Sequence, residues 1–144
     1  MFKNILVGYD GSNSAKKALQ SAAIMAKEYD ARLKALWVRE PPPRYSDLPG
    51  EFEEETEAAQ DYFKERRGEV EDVAKQFEIP ISCESRSGHP AKTIVTAADE
   101  EHCDLIIIGH SDHSGLWGRL LGDTAARVSD HAHCSVLVVK SSVD

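Results

Sequence analysis

A chain of 144 residues, 29% of them charged and with a net charge of −8, suits one soluble globular domain spanning residues 1–144. A chain this long buries roughly 68–70% of its unfolded surface, enough for a real core. The acidic balance lacks the basic stripe that supplies affinity for nucleic acid and disfavours an anionic membrane surface. No apolar run approaches the roughly 20 residues of a membrane span.

The first residues, MFKNILVGYDGS, have no long apolar stretch or small-residue cleavage site of a secretory signal. Lys3–Tyr9 reads instead as a short strand. Ser14–Glu28 then carries Ala18, Leu19, Ala22, Ala23, Met25 and Ala26 on one helical face, with Ser12, Asn13 or Ser14 available as its cap. Arg32–Val38 is a second strand. The proline-rich stretch Pro41–Gly50 excludes regular structure and reads as a surface loop.

Glu51 to about Phe77 reads as one long helix, with Phe52, Ala59, Phe63, Val70, Val73, Ala74 and Phe77 roughly on one face. The acidic run Glu51–Glu57 fits a solvated helix start, where carboxylates meet the positive end of the dipole. Pro80–Ser85 is a third strand. Pro90 opens a helix through His102, with Ile94, Val95, Ala97 and Ala98 as its apolar side. Asp104–Gly109 is a fourth strand, whose LIII run is apolar on both faces as in a central parallel strand. Leu121–His131 is a last helix and Ser135–Val139 a fifth strand.

Strands alternating with helices imply an α/β fold, an open doubly wound parallel sheet with helices on both faces. Such sheets bind ligands beyond the carboxyl ends of the strands, where the strand order reverses. Tyr9–Ser12 and Gly109–Asp123 are the two most glycine-rich strand ends, and both enter one crevice if strands 1 and 4 are neighbours. Asp10 stands there, either to accept bonds from a ligand or to bond its own backbone in a turn. Gly109, Gly115, Gly118 and Gly122 can turn backbone N–H groups toward an anion, backed by a helix start. The spacing matches neither GxxxxGK[ST] nor GxGxxG.

Cys83, Cys103 and Cys134 are odd in number and far apart, which argues against a disulfide framework and for buried thiols in a reducing cytoplasm. His110, Asp112 and His113 are a speculative metal cluster that reads more simply as loop polarity. No nucleophile or metal-hydrolase motif is present, and the SxxK spacing at Ser14–Lys17 lacks its companion motifs, so catalysis is not expected.

Three segments together, "ILVGYDGS", "SGHPAKTIVTAADEEHCDLIIIG" and "LLGDTAARVSDHAHCSVLVVK", resemble the universal stress protein family over nearly the whole chain. The resemblance implies a five-stranded, Rossmann-like parallel sheet in the order 3-2-1-4-5. It also implies homodimers through the last strand, here Val136, Leu137, Val138 and Val139, an apolar edge otherwise left unpaired. His131 and Cys134 match the family pattern before that strand.

Nucleotide-binding members share a motif of Gly, two residues, Gly, nine residues, Gly, then Ser or Thr. Its frame falls here on Gly109, Asp112, Gly122 and Asp123, so aspartates replace the second glycine and the hydroxyl residue. Gly8, Asp10, Val38, Gly115 and Thr124 complete the nucleotide residues that the resemblance implies, with Asp10 toward the nucleoside and the Val38 backbone toward the base. A carboxylate about 5 Å from a phosphate charge, at an effective dielectric constant of about 20, repels it by about 3 kcal/mol. Two would weaken binding by well over a hundredfold, less in a wet loop. Asp123 has an alternative duty as a helix cap.

The implied function is a cytoplasmic, non-catalytic, stress-response homodimer with unknown protein partners and weak or lost ATP binding. It requires no cofactor. The alternatives are an adenine-nucleotide sensor binding ATP or AMP with Mg²⁺, and a slow nucleotide hydrolase with Asp112 and Asp123 as Mg²⁺ ligands.

Overall fold

The computed structural model describes residues 1–40, 49–110 and 123–141, with the side chains of all of these except 49–56 and 123. The described residues form, in chain order, β1 (Asn4–Gly8), α1 (Asn13–Tyr29), β2 (Arg32–Arg39), α2 (Pro49–Phe77), β3 (Ser82–Ser87), α3 (Pro90–Glu100), β4 (Leu105–His110), α4 (Asp123–His131) and β5 (Ser135–Lys140). The sheet order is β3-β2-β1-β4-β5, and every pairing is parallel. The expected order therefore holds, and β1 lies beside β4, with Val7 opposite Ile107.

The period-two alternation of a strand explains why the central strands are apolar throughout. Ile5 and Val7 face the layer of α1 and α2, together with Leu33, Ala35, Leu105 and Ile107. Leu6, between them, faces the other layer with Leu36, Ile106 and Ile108, against Ile94 and Ala97 of α3 and Val128 of α4. Alanines along α1, among them Ala18, Ala22 and Ala23, are fully buried and let the helix lie close to the sheet.

Three helices end in one way. Asp30, Glu78 and His102 adopt left-handed φ values of 54°, 58° and 56°. After each, the chain turns back on the helix: Ala31 N–H bonds Ala26 O at 2.8 Å, Ile79 N–H bonds Ala74 O at 3.0 Å, and Cys103 N–H bonds Ala98 O at 2.8 Å. Ala31, Ile79 and Cys103 then pack on the core, the apolar contact that accompanies such caps.

This geometry corrects the third strand, expected at Pro80–Ser85 and found at Ser82–Ser87. Ile79 and Ile81 are apolar because they pack on the core as the chain leaves α2. Pairing begins only at Ser82, opposite Lys34, and continues to Ser87, opposite Arg39. Beside this edge Lys34 Nζ bonds Glu84 at 2.9 Å and also Glu101, while Arg86 bonds Glu84 and reaches Glu100 at 2.9 Å. Arg86 first, then Lys34, lowers the pKa of Glu84. Burial opposes the Lys34 charge, but its two carboxylate partners outweigh that and raise its pKa.

The cysteines are free and half-buried rather than fully buried. Burial pushes all three thiols up, Cys103 to about 11. Among the described residues no helix is long and apolar enough to cross a membrane.

Candidate functional site

At the carboxyl ends of β1 and β4 the chain builds a cavity of about 280 Å³. Its walls bring together Gly8, Asp10, Val38, Gly109 and Thr124, five of the residues marked in the sequence. Register explains the convergence. Gly8 lies opposite Leu36, Tyr9 N–H bonds Leu36 O at 2.9 Å, and Val38 follows two residues along on the same face of β2. Gly109 lies near the end of the neighbouring strand, opposite Val139.

Gly109 has a structural reason to be glycine. A Cβ there would stand 2.6 Å from the carbonyl carbon and oxygen of Ser14 and 2.9 Å from Ala15 N. The first turn of α1 therefore rests on the backbone of β4. Ser12 caps that turn, its Oγ accepting from Ala15 N–H at 3.2 Å, which settles the choice among the three candidate caps. Ser14, 6% exposed, lines the cavity. In the sequence it stood out only as a candidate cap and as the serine of the SxxK spacing.

Asp10 takes the turn role: its Oδ1 accepts from Ser12 N–H at 2.9 Å. Gly11 follows with φ +84°, a left-handed backbone that suits glycine. The second carboxylate oxygen of Asp10 has no protein hydrogen bond among the described residues, and the side chain is exposed at the cavity. From the opposite side α3 contributes Pro90 and Ile94. Among the described residues the cavity thus has apolar side walls and one carboxylate, with the start of α4 at its rim. Such a lining suits a flat, partly apolar ring with a polar handle.

Asp112, His113, Gly115 and Gly122 lie outside the described residues. Asp123 opens α4, and its side chain is likewise outside the description. His110 ends β4. No group of three metal-ligating side chains occurs among the described residues.

Two further features carried no signal in the sequence. His133 Nδ1 lies 2.9 Å from Asp99 and ties the end of α4 to α3 across a second groove, also lined by His131. On the other face of the sheet, Tyr9 donates to Glu69 at 2.5 Å, and Glu69 lies 2.9 Å from Arg66. Burial, reinforced by Glu69, holds the Tyr9 hydroxyl well above its ordinary range, so it remains a donor.

Comparison with known proteins agrees with this geometry. The model of the universal stress protein family matches residues 1–140. Universal stress protein MJ0531 of Methanocaldococcus jannaschii is 36% identical over 142 residues, covering 97% of this chain and 83% of that protein. The structure of hypothetical protein MJ0577 superposes with a TM-score of 0.78 at 26% identity, covering 100% of this chain and 99% of that one. A universal stress protein crystallised in complex with cAMP superposes with a TM-score of 0.71 at 28% identity, covering 96% of each chain. With sequence, sheet order and these likenesses in agreement, the chain belongs to the universal stress protein family.

Proposed function

We propose that this chain is a non-catalytic regulator that holds an adenine nucleoside or its monophosphate in the β1–β4 cavity and binds free ATP weakly. The observation that carries the reading is the convergence of Gly8, Asp10, Val38, Gly109 and Thr124 on one cavity. The cAMP held by a relative at 28% identity supports a nucleotide of low charge. Asp112 and Asp123 replace the glycine and the hydroxyl residue at the phosphate end of the family motif. They oppose a polyphosphate electrostatically, and a divalent cation between them and the ligand would reverse that sign.

The working form is a cytoplasmic homodimer joined through β5. Among the described residues that strand pairs only with β4, and Leu137 on it is 37% exposed, so an apolar edge is available to a second copy.

Calorimetry with adenosine, AMP and ATP, each with and without Mg²⁺, tests the reading. Adenosine or AMP should bind, free ATP more weakly than AMP. Asp112→Gly with Asp123→Ser should then raise affinity for free ATP more than tenfold. No heat from adenosine or AMP removes the nucleoside reading. Unchanged ATP affinity in the double variant removes the electrostatic one. Phosphate release with Mg²⁺ would favour the hydrolase alternative.

A further inference from the structure

We infer that the middle of α2, from Tyr62 to Glu69, is a clamp on the nucleoside cavity, so that occupancy of the cavity and docking of this stretch are coupled. The inference rests on the nucleoside reading above and adds a regulatory output to the same site.

The clamp closes on Asp10 from behind. Tyr62 donates its hydroxyl to the Asp10 carbonyl, while Asp10 Oδ1 is held by Ser12 N–H. The ring of Tyr62 packs on Trp37, 4.9 Å between centroids, and Trp37 precedes Val38, which lines the cavity. The Arg66 guanidinium carbon lies over the Tyr62 ring, 4.3 Å from its centroid. Arg66 also crowds Gly11, where a Cβ would meet its Cδ at 2.8 Å. Glu69 then joins Arg66 to Tyr9, the residue before Asp10. Residues 9–11 are thus gripped by a connected set of groups on one helix.

Little else holds this part of α2. The turns that follow are anchored by Val70, fully buried, with Val73 and Phe77 against the core. From Glu57 to Glu65 the helix is exposed except at Ala59 and Phe63. Phe63 stacks on the same Trp37, 6.2 Å between centroids. Arg66 Nε is buried without a hydrogen-bond partner among the described residues, so their docked arrangement is not fully satisfied. A segment with few buried apolar contacts opens at low free energy. A ligand on Asp10 that favours the gripped turn therefore favours the docked helix, and by linkage the docked helix favours the ligand.

Amide hydrogen exchange with and without adenosine, alongside calorimetry, tests the coupling. Adenosine should slow exchange across residues 57–66 at least threefold in the wild-type chain. Tyr62→Phe keeps the ring and removes one hydrogen bond. It should weaken adenosine binding roughly three- to tenfold, the change that one lost bond gives, and abolish the added protection. Arg66→Lys, which retains charge but not the planar fork, should act in the same direction. Val73→Ala loosens α2 away from the turn. It should lower stability without changing adenosine affinity, unlike the two clamp variants.

Binding of adenosine with unchanged exchange over 57–66 overturns the inference and leaves the nucleoside reading standing. Equal loss of affinity in Val73→Ala and Tyr62→Phe overturns it as well, by reducing the clamp to general stability. Absence of calorimetric binding by the wild type removes both.

Discussion

Replacing Gly109 and Gly68 each by alanine should move stability in opposite directions. At Gly109 the new methyl carbon would sit 2.6 Å from two backbone atoms of Ser14. Carbon atoms in contact normally stand about 3.5–4.0 Å apart, so roughly 1 Å must be gained. No side chain can rotate to provide it, because the atoms met belong to the backbone of α1. The first turn must slide, against the Ser12 cap, the 2.9 Å bond from Lys16 N–H to Ser12 O, and the burial of Ala15 and Ala18. Overpacking costs about 1–3 kcal/mol, and this case belongs at the upper end, about 2–3 kcal/mol. For a chain of this size that is a fall of roughly 6–12 °C in Tm.

Gly68 lies inside α2 with open space where its Cβ would be. There alanine should stabilise by about 0.8–1 kcal/mol through helix propensity alone. Urea unfolding followed by circular dichroism, with no ligand present, measures both, and an unchanged slope verifies that only stability moved. A Gly109→Ala variant within about 0.5 kcal/mol of wild type would refute the close-approach account. It would return Gly109 to the role its sequence position suggests, a residue kept for a ligand.

Two other outcomes follow from the helix ends and the thiols. Glu78→Gly should stabilise by about 1 kcal/mol in the same urea assay, because glycine bears no Cβ penalty at the left-handed position that closes α2; a loss of stability would show that the Glu78 side chain contributes more than its strained backbone costs. Cys103, with its thiol pushed up to about 11 by burial first and Glu101 next, should be slow toward a thiol-exchange reagent. At pH 8 about one molecule in a thousand carries its thiolate, against roughly a quarter for an unperturbed cysteine, and the rate should rise about tenfold per pH unit. Reaction as fast as that of a free thiol in the folded protein would contradict the burial.

What the sequence disclosed depended on how each residue is held. The LIII run of β4 is buried on both faces, so its apolar character announced a central strand. The edge strand β3, SCESRS, has no such run, and the apolar signal beside it came from Ile79 and Ile81, which pack without pairing. That displaced the expected strand by two residues. Asp30, Glu78 and His102 close their helices in a conformation usually marked by glycine, and nothing in their identity reveals it. Tyr62, Arg66 and Glu69 lie on a helix whose apolar face was visible, but their targets at Tyr9, Asp10 and Gly11 are more than 50 positions away in the chain. Gly8, Asp10, Val38, Gly109 and Thr124 could be named together because family likeness and the strand-end rule pointed to the same crevice.

The convergence of those residues divides into parts with different duties. Gly109 makes room for α1, and Ile108 and Ala125 belong to the core, so this part of the cavity would persist in a member that bound nothing. Asp10 is different. One of its oxygens holds the turn, the other has no protein bond among the described residues, and the side chain lines the cavity. A turn needs only the first, and asparagine would supply it equally well through its side-chain oxygen. Asp10→Asn therefore separates the two duties. If the turn were the whole of Asp10's work, the variant would keep both its stability and its adenosine affinity. If the second oxygen accepts a ligand hydroxyl, stability should stay within about 0.5 kcal/mol while adenosine binding weakens by about 1.5–3 kcal/mol, the range for a hydrogen bond to a charged group. Loss of affinity without loss of stability is the signature of a side chain kept for a ligand, and calorimetry beside urea unfolding reads both from one preparation.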